Sequence, residues 1–401
     1  MEILDKLLEM TAWHELIASP GSILMLFIAF FLLYLGIVKR YEPLLLIPIA
    51  FGMLLANFPG GQMGVVDPEQ AHLLKDLNIV EIGAEYGIMN MLYYALIKTG
   101  LLPPLIFMGV GALTDFGPML RNIHLAFFGA AAQIGIFLVL IAALFIGFTP
   151  QEAGSLGIIG GADGPTAIYT AIKLAPHLLG PIAIAAYSYM ALVPVIIPWV
   201  VKLTVSKKEL AINMKEQEKL NPSKIIIKDM KRVKILFPIV MITLVALLVP
   251  SSTPLVGMLL FGNLIKEIGS DTTRLFHAAS DTIMNTATVF LGLTVGATMG
   301  ADTFLTTKTL LIIGGGFLAF GLSIAGGIYA VKIYNLFSRK KINPLIGATG
   351  LSAVPMASRV ANELALKTDS SNHLLQYAMS SNISGVIGSA VAAGVLIAFL
   401  G

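Results

Sequence analysis

Six stretches without Asp, Glu, Lys or Arg limit what this chain can become: residues 21–38, 122–151, 174–201, 235–264, 309–331 and 374–401. As helices rising about 1.5 Å per residue, such runs reach across or nearly across a hydrocarbon core of roughly 30 Å. In that solvent every backbone N–H and C=O has to be satisfied internally, which leaves helices or a closed barrel, and continuous apolar runs of this length select helices. Shorter apolar runs at 42–57, 85–97, 98–114 and 282–301 read as tilted, broken or partly buried spans. Only 12% of the 401 residues are charged, about half the usage of a soluble domain. The expected class is an all-α polytopic membrane protein.

Charge placement supplies orientation. Residues 202–234 hold ten of the 26 Lys and Arg residues against four acidic ones, and the positive-inside rule puts this linker in the cytoplasm. Lys39-Arg40, Lys332 and Arg339-Lys340-Lys341 belong on the same side. A nucleic-acid reading of the basic linker has no fold motif or aromatic platform behind it. The linker divides the chain into an N-terminal membrane repeat at 1–201 and a C-terminal one at 235–401. The first 15 residues carry four acidic groups, one lysine and a histidine instead of a basic n-region, so a signal peptide is not expected. The absence of cysteine excludes disulfides, thiolate metal sites and cysteine nucleophiles. Histidines 14, 72, 124, 177, 277 and 373 form no short-range ligand pattern.

Within the apolar background, GADGPTA at 161–167 aligns without a gap to GATGLSA at 347–353, an offset of 186 residues. Five of the seven positions match, four as identical residues and Thr166 opposite Ser352 as one hydroxyl against another. Each copy precedes a long apolar run, 174–201 and 374–401. If the second element is re-entrant, with both ends on the basic side, the two halves are antiparallel and form an inverted repeat. Glycine and proline at this density break helices and free backbone groups, which membranes tolerate where the chain is buried in protein or lines a wet cavity. The expectation is two broken elements meeting near the midplane, with Asp163 supplying charge and Ser352 a neutral oxygen.

A carboxylate inside a span is costly and marks function by default. Bound Na+ favours its charged form and an empty apolar site favours a proton, so one aspartate can exchange the two ions. Hydroxyls, amides and carbonyls suit a hard cation. The plainer reading is that Asp163 caps the helix after Pro165, and capping can coexist with ion binding. Asp115 in GALTDFGPML also reads as a cap. Tyr187 and Tyr189 read as an interfacial belt or as site residues. Asn343 opens the second element, where an N-cap is again the plainer reading. Arg359 follows the GATGLS turn by seven residues and suits an acidic partner or an anionic substrate. Asp281 and Asn285 mark a further polar break. An Na+/H+ exchanger or an Na+-coupled secondary transporter accounts for these residues as well as an enzyme does.

GGADGPTAIYTA, AYSYMALVP and INPLIGATGLSAVPMASRVAN, with EPLLLIPIAFG at 42–52 and TDFGP at 114–118, resemble the membrane-embedded beta subunit of the sodium-pumping, biotin-dependent decarboxylases. That family serves oxaloacetate, methylmalonyl-CoA and glutaconyl-CoA decarboxylases. The resemblance implies that a carboxyltransferase alpha subunit loads CO2 onto biotin held by a carrier subunit or domain. The beta subunit then decarboxylates carboxybiotin, consumes an external proton and exports Na+. It further implies that Asp163, Tyr189 and Arg359 are catalytic, that Asp163, Asn343, Gly347 and Ser352 hold Na+, and that Arg359 and Asn343 meet the biotin group. A small single-span subunit is implied as another partner. No Met-Lys-Met biotin attachment motif is present, so biotin arrives in trans.

Overall fold

A computed structural model describes residues 11–66, 73–74, 77–220 and 228–401, so most of the acidic start and part of the basic linker lie outside the described residues. The first half carries α1 (Pro20–Ile37), α2 (Pro43–Ala56), α3 (Leu102–Leu113), α4 (Ile123–Ala132), α5 (Ile134–Ile146), α6 (Pro150–Gly157), α7 (Gly164–Leu174), α8 (Leu179–Ala191) and α9 (Val193–Thr204). After the linker come α10 (Met230–Leu248), α11 (Thr253–Ile268), α12 (Met284–Ala297), α13 (Thr307–Phe337), α14 (Leu345–Ala348), α15 (Met356–Thr368) and α16 (Leu375–Leu400). Among the described residues, four segments are long and apolar enough to cross a membrane: α1, α4 with α5, α13 and α16. Two further pairs are bent, Ile88–Ile97 against α3 by 64° and Pro176–Met190 against α9 by 70°. The chain is a multi-pass, all-helical membrane protein.

Two apolar runs expected as single spans are divided. The run 174–201 bends before Val193-Pro194, where proline has no N–H to continue the ladder. The run 235–264 turns at Pro250–Ser252, and α10 and α11 pack against each other across that turn. Prolines 250 and 254 bracket the turn for the same reason.

Reciprocal seams lock the halves together. α2 packs on α12 and α3 on α11, in each case one helix from either side of the linker. A Cβ built on Gly52 would lie 2.2 Å from the Leu293 carbonyl oxygen, and one on Gly296 would lie 2.1 Å from that of Ile49. The second seam repeats the device: Gly111 would meet the Leu259 oxygen at 1.8 Å and Gly262 the Met108 oxygen at 1.9 Å. Lipid provides no hydrophobic drive between helices, so backbone approach through small residues is what holds such seams.

α16 serves as a ruler for the two broken elements. At its start, Asn343 Nδ2 donates to the Leu210 and Ile212 carbonyls, both at 3.0 Å. Asn213 Nδ2 donates to Asp369 Oδ2 at 3.1 Å, and Asn372 Nδ2 to the Ile212 carbonyl at 3.0 Å. Residues 343 and 369 bracket α14 and α15, so both ends of the GATGLS element rest on one short segment at 210–213. At the far end of α16, a Cβ on Gly154 would sit 2.8 Å from Leu400 and 3.2 Å from Leu174. The GADGPT element, α6 to α7, therefore enters and leaves at the opposite end. The two re-entrant elements approach from opposite sides, as an inverted repeat requires.

Candidate functional site

The tips of the two elements meet at Asp163. A 3₁₀ turn, Ile158–Gly161, ends at Ala162, whose φ of 55° is left-handed and turns the chain back. Asp163 follows in extended conformation as the N-cap of α7, and its two carboxylate oxygens divide the work. Oδ1 accepts from the Thr166 N–H at 3.2 Å, while Oδ2 accepts from Ser389 Oγ at 3.1 Å. Ser389 Oγ lies 2.7 Å from Ser352 Oγ, and the Ser352 N–H donates to the Gly161 carbonyl at 3.0 Å. Capping and a polar cross-link between the elements thus share one side chain, which is buried. The α7 N-terminus adds a positive dipole end that favours negative charge there.

Depth follows from α16. Ser389 lies 14 residues after Leu375 and 11 before Leu400, or about 21 and 17 Å along a helix. Asp163, bonded to it, is therefore near the middle of a span. Polar groups converge around this point. Gln133, at the junction of α4 and α5, donates through Nε2 to the Gly129 and Gly350 carbonyls at 3.0 Å each. Gln133 Oε1 and Thr166 Oγ1 are buried without a hydrogen-bond partner among the described residues.

A cavity of about 440 Å³ opens on Asp163. Its walls are largely apolar, from Ile106, Phe107, Val110, Met284 and Met356, with Tyr187, Ser352, Asn285 and Thr288 as polar members. Glu42 and Asp115 line it at the linker end, where Lys234, the last linker residue, holds Asp115 at 2.6 Å. Partial burial raises the Asp115 carboxyl, but the Lys234 ammonium and the Gly117 N–H outweigh it and hold the group below the usual carboxylate range. At the opposite end, Glu152 in α6 takes Lys308 Nζ at 2.7 Å and His177 Nε2 at 2.9 Å. Burial again raises the carboxyl; hydrogen bonds from Lys308, His177 and the Thr149 N–H bring it down to about 2.

Of the residues singled out in the sequence, Asp163 and Ser352 come together through Ser389. Tyr189 faces elsewhere: its Oη donates to the Ile313 carbonyl of α13, and its ring packs on Phe317 and Phe320. Tyr187, two positions earlier, lines the cavity. The Asn343 amide is spent on linker carbonyls, and its Oδ1 accepts from the Leu345 N–H at 3.0 Å. Gly347 is a packing contact, since a Cβ there would lie 2.0 Å from the Gly327 oxygen. Arg359 is exposed on α15, one turn beyond the cavity-lining Pro355 and Met356. Asn285 lines the cavity, while Asp281 is exposed beside His277 at 3.5 Å. Sequence reasoning passed over Ser389, Gln133 and Asn382. Asn382 donates to the Leu351 carbonyl and accepts from Ser358 Oγ at 3.0 Å, bracing the second element. The signal was present as SSNISGVIGS at 380–389, a polar stripe inside the last apolar run.

A multi-pass protein with two broken elements entering from opposite sides, and one carboxylate among neutral oxygens where they meet, has the architecture of a cation-translocating membrane protein. Comparison with known sequences narrows the class. Residues 21–400 match the family described as Na+-transporting oxaloacetate decarboxylase beta subunit. The chain is 48% identical to the methylmalonyl-CoA decarboxylase subunit beta of Propionigenium modestum, over 96% of each chain. It is 44% identical to the oxaloacetate decarboxylase beta chain 2 of Salmonella typhimurium, over 100% of this chain and 99% of that one. Identity to the glutaconyl-CoA decarboxylase subunit beta of Acidaminococcus fermentans is 46%, over 95% and 94%. The chain belongs to this family: it is a membrane beta subunit of the Na+-translocating, biotin-dependent decarboxylases. It works with Na+ and with biotin carried on a partner, within a multisubunit complex.

Proposed function

We propose that Asp163, Ser352 and Ser389 form the Na+ site and that the chamber beside them receives carboxybiotin. The observation that carries this reading is the second oxygen of Asp163, which accepts from Ser389 Oγ, itself 2.7 Å from Ser352 Oγ, at mid-span, in a residue that lines the cavity. Na+ is a hard cation and takes carboxylate, hydroxyl and carbonyl oxygens. In carboxybiotin the N–C bond to the carboxyl group breaks, CO2 leaves, and the electron pair stays on the ureido nitrogen, where a proton has to arrive. Asp163 cannot hold a proton and Na+ together, so Na+ binding expels the proton toward the chamber, and CO2 release becomes tied to ion occupancy. Arg359, near the chamber wall, supplies positive charge to an incoming carboxylate. Asn343 and Gly347 hold the second element against the linker and α13. Tyr189 sets the position of α8 against α13.

The linker end of the chamber is taken as cytoplasmic, in keeping with ten Lys and Arg residues at 202–234. The carrier subunit or domain presents carboxybiotin there after loading by the alpha carboxyltransferase, and a small single-span subunit completes the membrane part. The repeats are assigned to 1–201 and 235–401. The test uses the purified chain in vesicles with free carboxybiotin. CO2 release should require Na+ and fall to background in Asp163→Asn. Rapid cation exchange without any CO2 release would overturn the reading in favour of a plain exchanger.

A further inference from the structure

Tyr187 has a property that packing does not explain. Its side chain is fully buried in α8, and its ring lies against the backbone of Gly164, the residue after Asp163. A Cβ on Gly164 would sit 2.0 Å from Cε1 and 2.5 Å from Oη. The hydroxyl has no hydrogen-bond partner among the described residues, yet the residue lines the chamber that also exposes Asp163. A buried hydroxyl left unpaired loses its bonds to water and gains nothing in exchange. Phenylalanine would fill the same space without that loss. The oxygen is therefore matched to something that enters the chamber.

Its neighbour cannot serve in its place. Tyr189 is two residues on, about 200° around the helix, and its hydroxyl is already bonded to Ile313. Only Tyr187 of this pair can meet a guest without breaking an existing bond. Resting on the carboxybiotin reading above, we propose that Tyr187 donates a hydrogen bond to the ureido oxygen of carboxybiotin and stabilises the charge that develops there. As the N–C bond breaks and CO2 leaves, the electron pair on nitrogen delocalises onto the ureido oxygen. Tyr187 keeps its own proton, and the proton that ends on nitrogen comes from the Na+ exchange at Asp163. A preorganised donor placed where charge develops acts chiefly in the transition state.

The test compares wild type, Tyr187→Phe and a protein with 3,5-difluorotyrosine at 187. CO2 release from free carboxybiotin is followed at saturating Na+, with equilibrium binding of radioactive Na+ and thermal unfolding alongside. Tyr187→Phe should lose about 10²-fold in kcat, bind Na+ within twofold of wild type and unfold at an unchanged or higher temperature. Difluorotyrosine, which restores a donor, should return kcat to within a few-fold. A Tyr187→Phe protein with kcat within threefold of wild type would overturn the proposal. So would a loss of kcat matched by an equal loss of Na+ affinity, which would put Tyr187 in the cation site instead. Failure of wild type to release CO2 would reject the carboxybiotin reading itself, and this assignment with it.

Discussion

Gly164→Ala probes the contact on which the site geometry rests. The added Cβ would stand 2.0 Å from Tyr187 Cε1 and 2.1 Å from Cζ, whereas carbon atoms rest about 3.5–4.0 Å apart. The ring has to retreat by roughly 1.5 Å, and it is fully buried in a close-packed wall. Overpacking of this kind costs about 1–3 kcal/mol. Alanine returns at most about 1 kcal/mol of helix propensity, and less at the first residue of α7. The variant should therefore unfold earlier in detergent, by a net of roughly 1–2 kcal/mol. A displacement of this size beside Asp163 should also slow carboxybiotin decarboxylation by about 10²-fold. Gly314→Ala is the comparison, because nothing among the described residues lies within 4 Å of its Cβ position; it should be neutral or stabilising by up to about 1 kcal/mol. Thermal unfolding and CO2 release measured on both variants decide the matter. A Gly164→Ala protein as stable and as active as Gly314→Ala would show that the ring has room to move, and the argument from close approach would fail.

Ser389→Ala removes the hydroxyl between Asp163 and Ser352 and should raise the Na+ concentration for half-maximal activity about tenfold, worth about 1.4 kcal/mol; an unchanged Na+ dependence would exclude Ser389 from the site. Glu152 has its carboxyl lowered from 4.5 to about 2, so its contribution is complete above pH 4.5 and is lost as pH falls toward 2. The full shift corresponds to about 3 kcal/mol, discounted to about 1–2 because Lys308 and His177 are half exposed. Unfolding temperatures from about pH 2 to 7 should show Glu152→Gln less stable than wild type at pH 7, with the gap narrowing below pH 4.5 and closing only toward pH 2; parallel curves would contradict the ion-pair account. Gly111→Ala and Gly262→Ala drive a methyl into a carbonyl at 1.8 and 1.9 Å, and each should sharply reduce the monodisperse fraction after detergent extraction, whereas recovery equal to wild type would mean the seam can open.

The helical membrane class was legible because it depends on composition and run length, which the bilayer converts directly into helices. The two glycine-rich elements were legible for a similar reason: GADGPTA and GATGLSA repeat local backbone chemistry that needs no partner to be recognised. Asp163 stood out because charge is costly in hydrocarbon wherever it points. Even so, the apolar run 235–264 was misread as one span, since hydropathy does not register the turn between prolines 250 and 254.

The sequence alone determined that a carboxylate and a serine would sit on two broken membrane elements, and the family resemblance added what such elements do. Only the tertiary structure decided that Ser389 joins Asp163 to Ser352, that both ends of each element lie on one side, and that Tyr187 faces the chamber while Tyr189 faces α13. These choices depend on the rotation and depth of α8 and α16, two nearly all-apolar helices whose faces carry little periodic signal. Their orientation comes from contacts between separate elements, such as Tyr187 on Gly164, Ser389 with Ser352, and across the halves Tyr189 with Ile313 and Ser389 with Asp163, and these exist only once the elements are packed together.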